Sequence, residues 1–399
     1  MIKNNIQSKY LNKGFINKLS KRYQKIILEI YNNVKNPRKT LNILDSKFSF
    51  NFKIQDLKRF KKFKSIAIIG MGGSILGSEA IYNFLEKKIK KRIYFFNDLN
   101  EDKITNFKKR NKLSKVLFII ISKSGNTIET ISNMFSLKII NKNSKNIILI
   151  SEKKNNLLFN LSKQLNLSYF EHKDYIGGRY SVLSEVGVIP AYLMGINIFK
   201  LRSKVHNYLK GKEKMFIKNS AIQLASILVS KKFNNLIFLN YAPELEKFLF
   251  WYQQLIAESL GKKNIGFLPM ISNAPKDHHS LLQLYLDGPK DKLFYIFSLD
   301  QKSKVKLNIK KNFISNSFLN KKKINVVKNA QREALIKAFI KKDIPFREFR
   351  VKKTDEEVLG KLFSFFMLET VVLGKLLKIN PFNQPAVEEV KANTKKLLS

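Results

Sequence analysis

Two strand-to-loop junctions constrain the fold of this chain more than any other feature. The first runs from Ile66 through Gly70, Gly72, Gly73 and Ser74 to Gly77, and the second from Val116 through Ser122, Lys123, Ser124 and Gly125 to Thr127. In each, an unbroken apolar run of strand length stops at small hydroxyl and glycine residues, and a helix-forming stretch follows. Continuous apolar strands suit a sheet covered on both faces, as parallel sheets are. The loop after such a strand opens at the sheet's carboxyl edge, where α/β folds collect ligands. Glycines let backbone N–H groups approach an anion closely, and a helix N-terminus adds about half a positive charge. Ser122, Ser124 and Thr127 contribute hydroxyls and Lys123 a charge. Both junctions therefore predict phosphate-holding loops. Neither has the register of a dinucleotide fingerprint or of a G-x-x-x-x-G-K-[ST] loop. A small phosphorylated metabolite is the expected ligand.

The rest of the chain repeats the pattern. Strands are predicted over 65–69, 93–97, 116–121, 146–150 and 168–170, and a second round over 235–240, 265–270, 292–297 and 346–351. Alternation with helical stretches implies parallel sheets joined by right-handed crossovers. The expected fold is α/β: two tandem α/β/α sandwiches with parallel sheets, plus a C-terminal helical tail. The expected boundaries are a polar helical lead-in over 1–64, a first unit over 65–200, a second over 201–352, and C-terminal helices over 353–399 that complete the site.

Composition narrows the chemistry. The chain has 399 residues and no cysteine, which excludes disulfides, thiol nucleophiles and thiolate metal sites. Its four histidines, His172, His206, His278 and His279, form no metal-binding spacing, so no metal is expected. No apolar run reaches the roughly 18 to 20 residues of a membrane helix, and no signal-peptide pattern is visible. A soluble cytoplasmic protein is expected. The net charge of +45 taken alone points to nucleic acid or an anionic surface. The lysines are spread along the whole chain, however, and accompany an excess of Asn, Ile and Phe. The charge is therefore read as compositional, with no specific nucleic-acid partner and no membrane.

A few residues stand out individually. Glu258 lies just before the glycine stop of a helix, where a carboxylate is electrostatically disfavoured and its pKa tends upward. Alone it reads more readily as an exposed helix-end glutamate. Asp277-His278-His279-Ser280 precedes a helix, and either histidine suits a structural role or proton donation near neutral pH. Arg179 follows Gly177 and Gly178, which suits a ligand clamp. Gln384 and Lys391 are two helical turns apart and share a face, which for an isolated pair would be solvated.

Together these segments resemble the glucose-6-phosphate isomerase family. The resemblance is carried by G-M-G-G-S-I-L-G (70–77), S-K-S-G-N-T-I-E-T (122–130), G-G-R-Y-S (177–181), Q-Q-L-I-A-E-S-L-G-K (253–262), D-H-H-S-L-L-Q-L-Y-L-D-G (277–288) and N-P-F-N-Q-P-A-V-E-E-V-K (380–391). It implies a pair of sugar-isomerase (SIS) domains assembled as a homodimer with shared active sites. By position, Gly73, Ser74, Ser122, Lys123, Ser124 and Thr127 are expected to hold the sugar phosphate, and Gln384 to bind substrate. Glu258 matches the catalytic base and Arg179 the group beside the developing enediolate. His279, rather than His278, matches a ring-opening histidine that the family typically draws from the partner subunit, with Lys391 assisting. Ser124 stands where threonine is common and Asn383 where aspartate is common.

The implied reaction interconverts glucose 6-phosphate and fructose 6-phosphate, in glycolysis and gluconeogenesis, and is expected to use no cofactor. Moving one proton between C2 and C1 through an enediol asks for a single base and a cation that does not titrate, which Glu258 and Arg179 supply. Two other readings stay open: a related isomerase that also accepts mannose 6-phosphate, and a sugar-phosphate sensor that binds nucleic acid. A sensor needs the phosphate loops but no base.

Overall fold

The computed structural model describes residues 2–6, 8–300, 303–309 and 318–398. In chain order its strands are β1 (Ile2–Asn5), β2 (Ser65–Ile69), β3 (Arg92–Phe96), β4 (Val116–Ile121), β5 (Ile147–Ser151), β6 (Ser168–Glu171), β7 (Asn235–Asn240), β8 (Leu268–Asn273), β9 (Lys292–Leu299) and β10 (Phe346–Val351). They form two five-stranded sheets. The first has the order β3-β2-β4-β5-β6, the second β1-β10-β9-β7-β8. All pairings in the first sheet are parallel. The second is parallel apart from β1, which runs antiparallel to β10.

Burial follows position. Every residue of β4, in the middle of its sheet, is buried, as its unbroken run of Val, Leu, Phe and Ile requires. Edge strand β8 is covered on one side only, and Leu268 and Met270 stay exposed. Helix Glu356–Leu376 is buried along most of its length and packs against helices Gly211–Ser230 and Glu246–Leu260. A buried ion pair fixes it to the second sheet, with Arg347 Nη1 3.0 Å from Glu369 Oε1. Such a pair is tolerable in the core because most of its other polar atoms are satisfied: Glu369 also accepts from Ser220 and Tyr252, and Arg347 donates to Tyr295 and Ser220, leaving its Nε without a partner.

The segment before residue 65 is more than a polar lead-in. Leu19, Tyr23, Ile26, Ile30 and Val34 lie at helical spacing on one face of helix Lys13–Lys35, and that stripe is buried against helix Glu356–Leu376. With β1 added to the second sheet, β1 and helix Lys13–Lys35 belong structurally to the second unit, whereas Thr40, Ser49 and Asn51 bond to the first. The start of β8 also differs from the expected 265. Lys262 and Ile265 pair across a tight turn, and Gly266 follows with φ +147°, so the strand begins three residues later.

Helix Leu76–Leu85, from the first unit, packs directly on helix Glu246–Leu260 of the second. That contact brings the first glycine-rich loop against the helix carrying Glu258.

Candidate functional site

The site forms where three chain segments converge on Arg179. The one-turn helix Gly72–Ser74 lies against the turn Gly178–Leu183, and no side chain fits between them. A Cβ on Gly73 would stand 2.2 Å from the carbonyl carbon of Gly178, so only glycine permits the approach. Ser181 Oγ donates to Gly73 O at 3.3 Å and stitches the two loops together.

Arg179 is 3% exposed, and all three guanidinium nitrogens are engaged. Its Nε donates to Ser259 Oγ at 2.8 Å, and Nη1 to Glu258 Oε2 at 3.1 Å and to Gln384 Oε1 at 2.5 Å. Its Nη2 donates to the carbonyls of Pro381 (2.7 Å) and Asn383 (3.2 Å). Three residues expected from sequence, Arg179, Glu258 and Gln384, therefore meet at one nitrogen. Glu258 keeps 28% side-chain exposure, so a ligand can reach its carboxylate. Gln254, one helical turn earlier, donates to Glu258 Oε1 at 2.9 Å and fixes the plane of the carboxylate.

Several contributors were not singled out from sequence. Ser259 receives the Arg179 Nε–H and shares a hydrogen bond with Tyr180 OH at 2.9 Å. Tyr180 OH also donates to Pro381 O at 2.9 Å. Lys262 Nζ donates to Ser259 O at 3.1 Å and to Asn380 O at 2.7 Å, so it clips the 380–384 strap to the end of the Glu258 helix. Desolvation, aided by the Arg179 charge, pushes its ammonium down to about 8, while Glu258 pulls the other way. The signal was present in the 253–262 segment, where Gln254, Glu258 and Lys262 recur at helical spacing.

The second junction forms a compact cradle. Ser122 is buried at the end of β4, and its Oγ lies 2.7 Å from Thr127 Oγ1 and accepts from Thr127 N at 3.4 Å. Ser124 Oγ accepts from Asn126 N at 3.3 Å. Thr127 holds the N-cap position of helix Ile128–Ser136 without a side-chain capping hydrogen bond, so the N-terminal amides open into the loop. Gly125 holds φ +68°, and a Cβ there would collide with Asn156 Oδ1 at 1.8 Å. Lys123 behaves differently from its neighbours. Its Nζ donates to Asp174 O at 2.8 Å and lies 3.5 Å from Glu152, tying the cradle to the segment that leads into Arg179. Desolvation holds that ammonium below the ordinary lysine range, against the pull of Glu152.

Among the described residues, the remaining two expected residues make no hydrogen bond or ion pair with this centre. His278 shares a hydrogen bond with Tyr241 OH at 2.7 Å through Nε2, and burial lowers its pKa. That anchor leaves its neighbour His279 exposed to solvent. Lys391 is also exposed and pairs with Glu388 at 2.8 Å on helix Val387–Leu398, none of whose residues is buried. Among the described residues, no three His, Asp or Glu side chains group as a metal site.

The model of the phosphoglucose isomerase family matches residues 49–399. The chain belongs to this family. It is 31% identical over 352 residues to the glucose-6-phosphate isomerase of Methanocaldococcus jannaschii, covering 84% of this chain and 86% of that one. Similarity to the Campylobacter jejuni enzyme of the same name is 31% over 381 residues, covering 90% of each. Two solved structures share the fold. A hypothetical protein of Thermus thermophilus superposes with a TM-score of 0.83 at 22% identity over the whole of both chains. A glucose-6-phosphate isomerase of Chlamydia trachomatis superposes with a TM-score of 0.71 at 19% identity, over 86% of this chain and 71% of that one. Phosphoglucose isomerase membership and the two SIS-type units agree with the expectation from sequence. Among the described residues, no helix is long and apolar enough to cross a membrane.

Proposed function

We propose that this phosphoglucose isomerase family member interconverts glucose 6-phosphate and fructose 6-phosphate through an enediol formed beside Arg179. The observation that carries this reading is the Arg179 Nη1 to Glu258 Oε2 contact of 3.1 Å, with Gln384 on the same nitrogen. A base and a fixed cation side by side match the requirement of the chemistry. Glu258 takes the proton from C2 and returns it to C1. As negative charge develops on the adjacent oxygen, the guanidinium stabilises it without giving up a proton of its own. All five N–H groups of Arg179 are held by its own chain, so the guanidinium is fixed in place and acts on that oxygen through its charge.

The substrate phosphate is assigned to Ser122, Ser124 and Thr127, with Ser74 and Gly73 contributing from the first loop. The amides at the start of helix Ile128–Ser136 supply the complementary field. Ring opening is assigned to His279 and Lys391. Both are exposed on the single chain, and His279 follows the edge strand bearing exposed Leu268 and Met270 and precedes exposed Leu284. We therefore assign His279 to the active site of a second copy docked on that face, in a homodimer. A role in glycolysis and gluconeogenesis and a cytoplasmic location belong to the same proposal.

The test is a coupled assay for glucose 6-phosphate formation from fructose 6-phosphate by the purified protein, with EDTA present. Turnover is expected to survive chelation. Absence of turnover, or loss restored only by a divalent ion, contradicts the reading.

A further inference from the structure

In an all-parallel sheet every strand enters from the same edge, so the topology of the first sheet gathers segments that are distant in sequence. The segments 58–64, 86–92 and 108–115 enter β2, β3 and β4, and each carries five basic residues, with Glu86 as their only acidic residue. Those three strands are neighbours in the order β3-β2-β4, at a spacing of about 4.8 Å. Lys91 Nζ donates to Lys61 O and Arg92 N to Lys64 O, so the first two segments lie side by side. Lys138, Lys142 and Lys145 extend the same edge ahead of β5. Glu356 and Glu244 reach it from the second unit, pairing with Lys88 and Lys87.

The opposite edge is a built-in control. The segments leaving the five strands, 70–76, 97–103, 122–129, 152–156 and 172–179, carry six acidic and six basic residues. Compositional drift alone would load both edges alike. Helix macrodipoles favour Lys108, Lys109 and Arg110 in the last turn of helix Glu101–Arg110. They do not account for Lys62, Lys64, Lys90 or Lys112, which lie outside helices and are exposed. The charge is polarised across the sheet.

We infer that this edge is a docking surface for double-helical nucleic acid, held through its phosphates without reading bases. Duplex DNA presents one negative charge per about 1.7 Å of axis, which matches closely spaced cations. None of the exposed large apolar side chains among the described residues lies in these entry segments, so nothing is offered to a bilayer interior. Phe60 and Phe63 are buried, which leaves no aromatic platform for unpaired bases. The surface lies about 17 Å from the phosphate loops, the length of a five-residue strand, so docking and catalysis are independent.

The experiment is fluorescence anisotropy with labelled DNA and RNA duplexes of about 24 base pairs, titrated between about 50 and 200 mM salt. Three proteins are compared: wild type, the fivefold edge variant (Lys62, Lys64, Lys90, Lys112 and Lys115→Gln), and an equally charged control (Lys212, Lys232, Lys337, Lys341 and Lys352→Gln). Isomerase turnover is expected to be unchanged in all three, which verifies folding. The edge variant should lose at least about tenfold in affinity and flatten the plot of log K against log salt by up to about 4.5, at about 0.9 per lost contact. The control should change less than about threefold. Equal losses in both variants, no binding by wild type at about 50 mM salt, or a base-sequence preference each overturn the inference. Tighter binding to phosphatidylserine vesicles than to duplex, abolished by the edge substitutions, overturns the choice of partner.

Discussion

Arg179 and Lys391 belong to one proposed reaction but are held in opposite ways. Arg179 is buried, with hydrogen bonds from all three nitrogens into two segments of its own chain, 258–259 and 381–384. Lys391 sits on a helix without a single buried residue and pairs with Glu388 in solvent. His279 shares that condition, turned outward beside an anchored His278. In the proposed reaction, proton transfer would use a centre that is complete in one folded chain, and ring opening would use groups that the chain leaves unassembled. The difference teaches that the two steps answer to different perturbations. The first should depend on rigid geometry and the second on association.

The largest effect is expected from breaking the rigid side. Arg179→Lys keeps the charge but cannot reproduce the planar set of donors, so kcat should fall about 10²–10³-fold, as for other lost oxyanion donors. Steady-state kinetics with circular dichroism as a folding check measures it. A near-normal kcat would mean that the buried constellation is structural. On the associative side, His279→Ala should lower turnover about 10²-fold or more as a lost acid–base group. Mixing it with Glu258→Gln should restore partial activity once subunits exchange. Verified heterodimers that remain inactive would place both groups in one chain's site.

A smaller effect is expected at the cradle. Thr127→Ala removes a donor beside Ser122, and a lost hydrogen bond to a charged group is worth roughly 1.5–3 kcal/mol. KM for fructose 6-phosphate should rise with kcat little changed, and a fixed KM would move the phosphate elsewhere. The smallest effect concerns Lys262, whose ammonium the fold disfavours. The folded chain releases this proton near 8 and the unfolded chain near 10.5, so the group adds to stability as pH rises through that window. Any loss should therefore appear in binding alone. KM should climb above pH about 8 as the clip on Asn380 loses its charge, and Lys262→Arg should remove that rise. A pH profile of KM that is the same in both proteins would contradict the role.

The first sheet was legible in the sequence because β2, β4 and β5 are continuous apolar runs that end in loop residues. The antiparallel β1 was not, since four polar-rich residues carry no strand period and depend on pairing with β10. Similarly, the stripe on helix Lys13–Lys35 was masked by lysines that occupy the rest of its surface. At the site, Glu258 and Arg179 were named, but their contact spans 79 residues of chain and no local spacing encodes it. The polarity of charge across the first sheet was hidden for a related reason. Read along the chain, lysines look evenly spread. Only the parallel topology separates entry segments from exit segments.

The central claim is that Glu258, held by Gln254 and facing Arg179, moves the C2 proton. Glutamine at 258 keeps the size and an oxygen to accept from Arg179, and its NH2 can donate to Gln254 once that amide turns over, but it cannot accept that proton. The decisive measurement follows exchange of the C2 position of the hexose phosphate with solvent deuterium by NMR, in wild type and Glu258→Gln. The account predicts a folded, substrate-binding variant with exchange lowered by at least about 10²-fold, the scale of a lost general base, while ring opening continues. Deuterium entering C2 at near wild-type rate in the variant would contradict it.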